Sequence, residues 1–353
     1  MRALQLVLFL SFLSFFDACL VISGFQNDKC TPKDNTTYLL AYSNDIDSEY
    51  FSRLYKSSKV GYPVARKFVK LARVRFDVRE PEEIEYYDNL NEFLSDTNYS
   101  LPDPRLSYNS TSEGSDVVSV LKNFLGKTKS PICGSKINVL MKRLPTEVDV
   151  ESIVAKLRKF HVEVYFAISE RPFGGNTLES LNEIAFKTNG LSTILTDEKL
   201  NMGVLHTQHY KEETLIYAAN FNVSGKGTIE LPPMTVPYDR RIFAFLMSFK
   251  DDRKILRNDP LIYDNYEFAA VSDALQSATI TCTNTVTNTE FVYKYGVYEG
   301  YVNFRRTGGS LDKGIYTMKF EYEYANQDVE RLFIRVSTLY NTPTVDYWVP
   351  YDN

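Results

Sequence analysis

The sequence predicts an α/β doubly wound parallel sheet followed by an all-β sandwich, and three observations carry that prediction. Residues 137–195 read strand, helix, strand, helix, strand, the middle strand at 162–168 is almost continuously apolar, and beyond Leu200 the apolar period changes from helical to alternating. A strand without polar alternation is covered on both faces, as in a parallel sheet flanked by helices. Two right-handed βαβ units follow, and with them an open sheet wound in both directions.

Taken in order, Thr37–Ser43 is an apolar run that ends in the polar loop 43–48, where Asp47 or Ser48 is placed to cap a helix carrying Tyr50, Phe51, Leu54 and Tyr55. Gly61-Tyr-Pro63 breaks that helix. Val69–Val78 reads as the next strand, with imperfect alternation that the long Lys and Arg stems tolerate at a sheet margin. Glu80–Glu83 is an acidic connection, a short helix is expected at Leu90–Leu94, and an exposed loop fills the rest of 86–112. Gly114-Ser-Asp116 opens a helix with Val117, Val118, Val120, Leu121, Phe124 and Leu125 on its apolar side and Gly126 at its end.

Ile137–Lys142 is the next strand and takes the fourth place in the doubly wound order. The helix Asp149–Phe160 buries Val150, Ile153, Val154, Leu157 and Phe160 behind an Asp149 N-cap. The helix Thr177–Thr188 buries Leu178, Leu181, Ile184 and Ala185 and stops at Asn189-Gly190, a left-handed C-terminal cap signal. Leu191–Leu195 closes the α/β domain, with a boundary near Met202–Lys211. About seven strands then follow, at 214–223, 227–231, 241–249, 278–283, 291–304, 315–324 and 331–337, as expected of an immunoglobulin-like sandwich.

Residues 1–23 read as a signal peptide, with Arg2 at its start, Leu4–Phe16 as its apolar core and a cut expected after Val21-Ile-Ser23. No later stretch has the length to span a bilayer. The expected organisation is a signal peptide at 1–23, the α/β domain at 24–203, the sandwich at 204–340 and a tail at 341–353, secreted to the cell exterior. Glycosylation acceptors stand at Asn35, Asn98, Asn109 and Asn222. A net charge of −5, with Lys and Arg scattered among carboxylates, excludes a nucleic-acid partner.

The first half resembles a von Willebrand factor A domain, in particular the divergent A-like domains of secreted nematode proteins that carry a further β-rich domain. The resemblance spans roughly residues 30–203 and rests on Tyr38-Leu-Leu-Ala-Tyr-Ser-Asn-Asp45, Val139-Leu-Met141, Leu157-Arg-Lys159, Val162–Ile168, Leu181–Ala185 and Thr188-Asn-Gly190. Family members often hold a divalent cation with an Asp-x-Ser-x-Ser loop, a Thr, and an Asp ending the fourth strand. The corresponding first-loop positions here are Ala41, Ser43 and Asp45, and the strand-end Asp falls on Lys142 or Arg143. A hard cation needs oxygen ligands, and an ammonium or guanidinium in that shell takes the cation's place. The resemblance therefore implies a degenerate adhesion site with no metal and no cofactor, and an internal ion pair of Asp45 with Lys142 or Arg143.

In the doubly wound strand order 3-2-1-4-5-6 the first and fourth strands are parallel neighbours. Cys30 and Cys133 lie just ahead of them, so a disulfide between the two is predicted, with Cys282 unpaired in the other domain.

The remaining constellations read as structural. His206-Thr-Gln-His209 is a solvated connection without further ligands at zinc spacing, His161 is a strand-start residue, and Gly174-Gly-Asn-Thr177 is a tight turn without a phosphate-loop Lys. Glu80–Glu85 is a solvated acidic surface, and Trp348 with Tyr340, Tyr347 and Tyr351 is a tail that docks its rings on a sheet edge or the domain junction. The expected function is non-catalytic recognition of an extracellular protein or glycan, in an adhesion or host-defence role that rests on the resemblance. The ligand is expected at the loops 43–48, 142–146 and 170–176, with Ser43, Asn44, Asp45, Lys142, Arg143 and Arg171 as candidate contacts. The alternative is a carbohydrate-binding module that uses the sandwich and its aromatic tail.

Overall fold

In a computed structural model of the chain, the described residues are 30–52, 66–95, 101–126, 130–175, 177–200, 203, 214–239, 241–249, 275–297, 303–338 and 343–351. The signal peptide, Asn98, His206, His209 and most of the expected domain boundary lie outside them. The first sheet comprises β1 (Thr36–Ser43), β2 (Phe68–Phe76), β3 (Glu85–Tyr87), β4 (Lys136–Leu144), β5 (Glu163–Gly174) and β6 (Ser192–Leu195), in the order β3-β2-β1-β4-β5-β6. All its pairings are parallel except that of β3 with β2. The predicted adjacency of the first and fourth strands is present, and Cys30 and Cys133, at their N-terminal ends, form a disulfide with Cα atoms 5.6 Å apart. Cys282 is buried and unpaired.

Helices α1 (Leu90–Ser95), α2 (Val117–Gly126), α3 (Glu151–Lys159) and α4 (Glu179–Lys187) accompany the sheet. The apolar stripes of α2, α3 and α4 share one core with Leu39, Ala41, Val139, Met141, Val164, Phe166 and Ile168. The alternate residues Tyr38, Leu40, Tyr42, Leu140, Tyr165 and Ala167 face the other way, and there Ala244, Leu246, Phe304 and Phe333 of the second domain join their cluster. The unbroken apolar run of β5 thus has two causes, helices on one face and a β-sheet on the other.

Local signals acted with small displacements. Helix α3 begins at Glu151, and Asp149 accepts its backbone N–H at 3.0 Å from outside the helix instead of serving as the N-cap. At the end of α4, Asn189 takes the left-handed conformation at φ 57 and Gly190 N–H donates to the Ala185 carbonyl at 3.0 Å, the 6→1 bond of a Schellman cap. Strand β3 was expected to be connection and surface. It is three residues long and is held by the cross-strand pair of Arg73 with Glu85 at 2.8 Å, which no apolar alternation announces.

The C-terminal half is a sandwich of β7 (Leu215–Val223), β8 (Lys226–Val236), β9 (Arg241–Phe249), β10 (Leu275–Asn284), β11 (Glu290–Lys294), β12 (Gly296–Val297), β13 (Phe304–Leu311), β14 (Gly314–Tyr324) and β15 (Glu330–Thr338). A four-stranded sheet, β11-β10-β14-β8, faces a five-stranded one, β12-β13-β9-β15-β7, with antiparallel pairing within each. The run expected as one strand at 291–304 is instead β11, β12 and the start of β13. Strand β13 hides behind Gly308-Gly309, which imitates a turn. A side chain at 309 would stand 2.1 Å from the Tyr293 ring, which lies across that strand and donates its OH to the Ser310 carbonyl at 3.1 Å.

Polar groups fasten the two halves. Arg335, fully buried on β15, donates from Nε to the Asn189 and Gly190 carbonyls at 3.0 Å each and from Nη1 to the Ala219 carbonyl at 3.1 Å. Asn303 accepts Ile194 N–H at 2.7 Å on the outer edge of β6 and donates to the Phe249 carbonyl at 2.8 Å. Among the described residues no helix is long and apolar enough to cross a membrane.

Candidate functional site

At the C-terminal edge of the first sheet, the direction of the crossovers reverses between β1 and β4, which opens a crevice where ligands of such sheets bind. The loops expected at 142–146 and 170–176 begin later than predicted, because β4 runs to Leu144 and β5 to Gly174. Pairing jumps from Met141 with Ile168 to Arg143 with Phe173, so residues 169–172 form a bulge that lifts Arg171 into solvent. Bulges beside binding edges re-aim side chains in this way.

Of the two cations predicted to face Asp45, Arg143 is the partner: its Nε donates to Asp45 Oδ2 at 2.8 Å, with the side chains 2% and 8% exposed. Nη1 donates to the carbonyls of Glu113 at 2.6 Å and Ser110 at 3.0 Å. The guanidinium sits between the rings of Phe173 and Tyr108, 4.7 and 5.1 Å from their centroids. Gly174 is needed beside it, since a Cβ there would stand 2.4 Å from Arg143 Cγ, and its φ is +86. Lys142 projects from the other face of β4, where it pairs with Asp197 and donates to Ser169 Oγ at 3.0 Å.

Next to this pair lies a carboxylate that the sequence reading passed over. Asp77 follows β2, is fully buried at φ 60, and accepts from Ser43 Oγ and from Asp116 N–H at 3.3 Å. Asp116 returns the contact by accepting Asp77 N–H at 2.9 Å. Burial pushes the Asp77 carboxyl up to about 8, the Ser43 and Ser115 hydroxyls pull against that shift, and the neighbouring Asp116 and Asp45 add to it. The ionisation of Asp77 is therefore displaced well above the usual carboxylate range. Burial, together with the charges of Asp116, Asp77 and Glu113, also raises Tyr108.

Two loops and the end of β5 thus converge on one guanidinium, and the edge is closed by its own side chains. Ser43, Asn44 and Arg143 are buried, Asp45 is nearly so, Lys142 is half-buried and Arg171 is exposed. Asn44 is committed to the loop beside it, donating to the Asp103 carbonyl and Ser107 Oγ at 2.8 Å each. Among the described residues, no group of three or more His, Cys, Asp or Glu side chains is placed to hold a metal ion. Ser169 lies within reach of an amine, yet it is fully buried and bonded to Asp197. Asp77, Asp116, Tyr108 and Phe173 escaped sequence analysis because each occupies a position with an ordinary local reading. An acid directly after an apolar strand, with another opening the helix that follows, was the available signal.

The family described as "Domain of unknown function (DUF7154)" matches residues 219–339, within the sandwich. No curated protein matches the chain. Among solved structures, proximal thread matrix protein 1 from the mussel byssus is 12% identical over 54% of this chain and 50% of that chain, with a TM-score of 0.34. The C-terminal domain of A223, a structural protein from Sulfolobus turreted icosahedral virus, is 14% identical over 36% of this chain and 98% of its own, with a TM-score of 0.19. A carbohydrate-binding module from Cellvibrio mixtus lichenase 5A, in complex with cellotriose, is 8% identical over 35% and 88%, with a TM-score of 0.18. Likeness at this level does not extend to ligand or activity.

Proposed function

We propose that the protein is a secreted, non-catalytic recognition protein whose first half is a von Willebrand factor A-like domain with a degenerate adhesion site and whose second half is an immunoglobulin-like sandwich. The observation that carries this reading is Arg143: its guanidinium stands at the crevice of the sheet, bonded to Asp45 and stacked between two rings. A permanent internal cation relieves the edge of any need for a metal and holds the surrounding loops rigid. The ligand meets the rim outside that pair, where Arg171 on its bulge and the exposed residues 47–49 present opposite charges. Secretion is supported by the disulfide and by the exposure of the acceptors Asn35, Asn109 and Asn222.

The test is a binding screen of the purified protein against extracellular proteins and a glycan array, with Arg171→Glu alongside the wild type. Saturable protein binding that Arg171→Glu weakens at least tenfold supports the reading. Glycan binding indifferent to that substitution favours the carbohydrate-binding alternative. That alternative has to work without the Trp348 ring, which is stacked on His161. Substrate turnover by the wild type would contradict both.

A further inference from the structure

We propose that the C-terminal strap, residues 343–351, is a latch released by acid, with His161 beneath Trp348 and Tyr351 as its trigger. His161 lies just past the end of α3 at φ 51 and is 7% exposed. The Trp348 ring stacks on it, with centroids 4.3 Å apart and planes within 5°, and the Tyr351 hydroxyl is 3.3 Å from Nδ1. The strap is fastened on both sides. Trp348 Nε1 donates to the Cys30 carbonyl at 3.1 Å, and its ring fills the space a side chain at Gly134 would need. Asn189 Nδ2 donates to the carbonyls of Val349 at 3.1 Å and Pro350 at 3.3 Å.

Burial opposes protonation of the imidazole, and of the charged groups around it only Glu163 favours it. Arg158 of α3 lies over the Tyr351 ring at 4.4 Å, and Lys67 and Lys136 line the same cavity of about 30 Å³ under the strap. The carboxylate facing them is Glu163 of β5, already engaged by Lys136 Nζ at 3.3 Å and by the Tyr165 hydroxyl at 2.5 Å. Lys33 and Asp346 pair at the rim, 3.9 Å apart. An imidazolium here would sit under two rings, among three cations and one occupied carboxylate.

Burial holds His161 down to about 4, against 6.5 for an exposed imidazole, with Glu163 opposing the shift. Between those values the undocked strap admits a proton that the docked strap refuses. Docking is therefore fully favourable above 6.5 and weakens as pH falls. At pH 5 the docking equilibrium is lower by roughly ten- to thirtyfold than at neutral pH. Release uncovers the lysine-lined cavity at the N-terminal edge of the strands and leaves the Arg143 edge untouched.

Trp348 is the single tryptophan of the chain, so its fluorescence reports on the strap. In the full chain, its emission should shift red between pH 7 and 5, reversibly, while peptides covering 343–351 lose hydrogen-exchange protection and the far-UV spectrum stays unchanged. His161→Asn tolerates the left-handed backbone and cannot titrate, so its emission should be flat over that range. Should that variant dock poorly at every pH, the His161 C2–H resonance decides. It should titrate between 4 and 6.5 in the wild type, in step with the emission change, and move towards 6.5 in Trp348→Ala. Emission and protection constant from pH 7 to 5, a His161→Asn curve that follows the wild type, or a wild-type His161 titrating near 6.5 would each overturn the proposal.

Discussion

Arg143 Nε meets Asp45 Oδ2 at 2.8 Å with both side chains sealed from solvent, and this pair fixes the crevice of the first sheet. Removing one partner of a buried pair costs far more than the pair contributes, because the survivor is left charged in a poor solvent. Asp45→Ala should therefore destabilise the protein by about 3–5 kcal/mol in chemical denaturation. A loss under about 1 kcal/mol would mean that the guanidinium reaches water after all.

Asp77 should make stability depend on pH in a definite direction. The folded carboxyl ionises near 8 and the unfolded one near 3.8, so the folded state holds the extra proton between those values. Its contribution to stability is complete at the acid end of that window and is lost as pH rises through 8. Asp77→Asn can keep the bonds to Ser43 and Asp116 without ionising. Denaturation curves should show it more stable than the wild type at pH 8, by more than about 1 kcal/mol, with a flatter profile. A variant that is less stable at pH 8 would refute the assignment.

Arg335 ties the sandwich to the cap of α4 through the carbonyls of Asn189 and Gly190, and within the sandwich it donates to those of Ala219 and Ile334. Arg335→Met keeps much of its volume and strands those acceptors, at roughly 1–3 kcal/mol for each one left buried without a donor. Thermal unfolding of the variant should separate into two transitions as the domains uncouple. A single transition close to the wild-type midpoint would show that the apolar contacts alone hold the halves together.

The cysteines offer a chemical check. Non-reduced peptide mapping should recover the Cys30 and Cys133 peptides linked, while Cys282, buried and with burial pushing its thiol up to about 12, resists alkylation until the protein unfolds. Rapid alkylation of Cys282 in the native protein would contradict its place in the core.

Much of the fold was legible because its periodicities are long and its punctuation is local: the β5 run, the three amphipathic helices and Asn189-Gly190 all act as their residues predict. The strand order followed, and with it the pairing of Cys30 with Cys133. What was hidden depends on contacts distant in sequence. Strand β13 is recognisable only with the Tyr293 ring lying on Gly309, and β3 only with Arg73 opposite Glu85. At the candidate site, the resemblance left two neighbouring cations to face Asp45, and the alternation of β4 chose between them by pointing Lys142 to the opposite face. Asp77 stayed invisible because burial, not spacing, makes a carboxylate unusual.

The Arg143 guanidinium, bonded to Asp45, occupies the crevice at the C-terminal edge of the first sheet, and no divalent cation is expected to share it. Calorimetric titration of the wild-type protein with Mg²⁺, Mn²⁺ and Ca²⁺ tests this expectation most directly. No saturable heat is expected up to millimolar metal. Micromolar binding that is abolished by Ser43→Ala would contradict it.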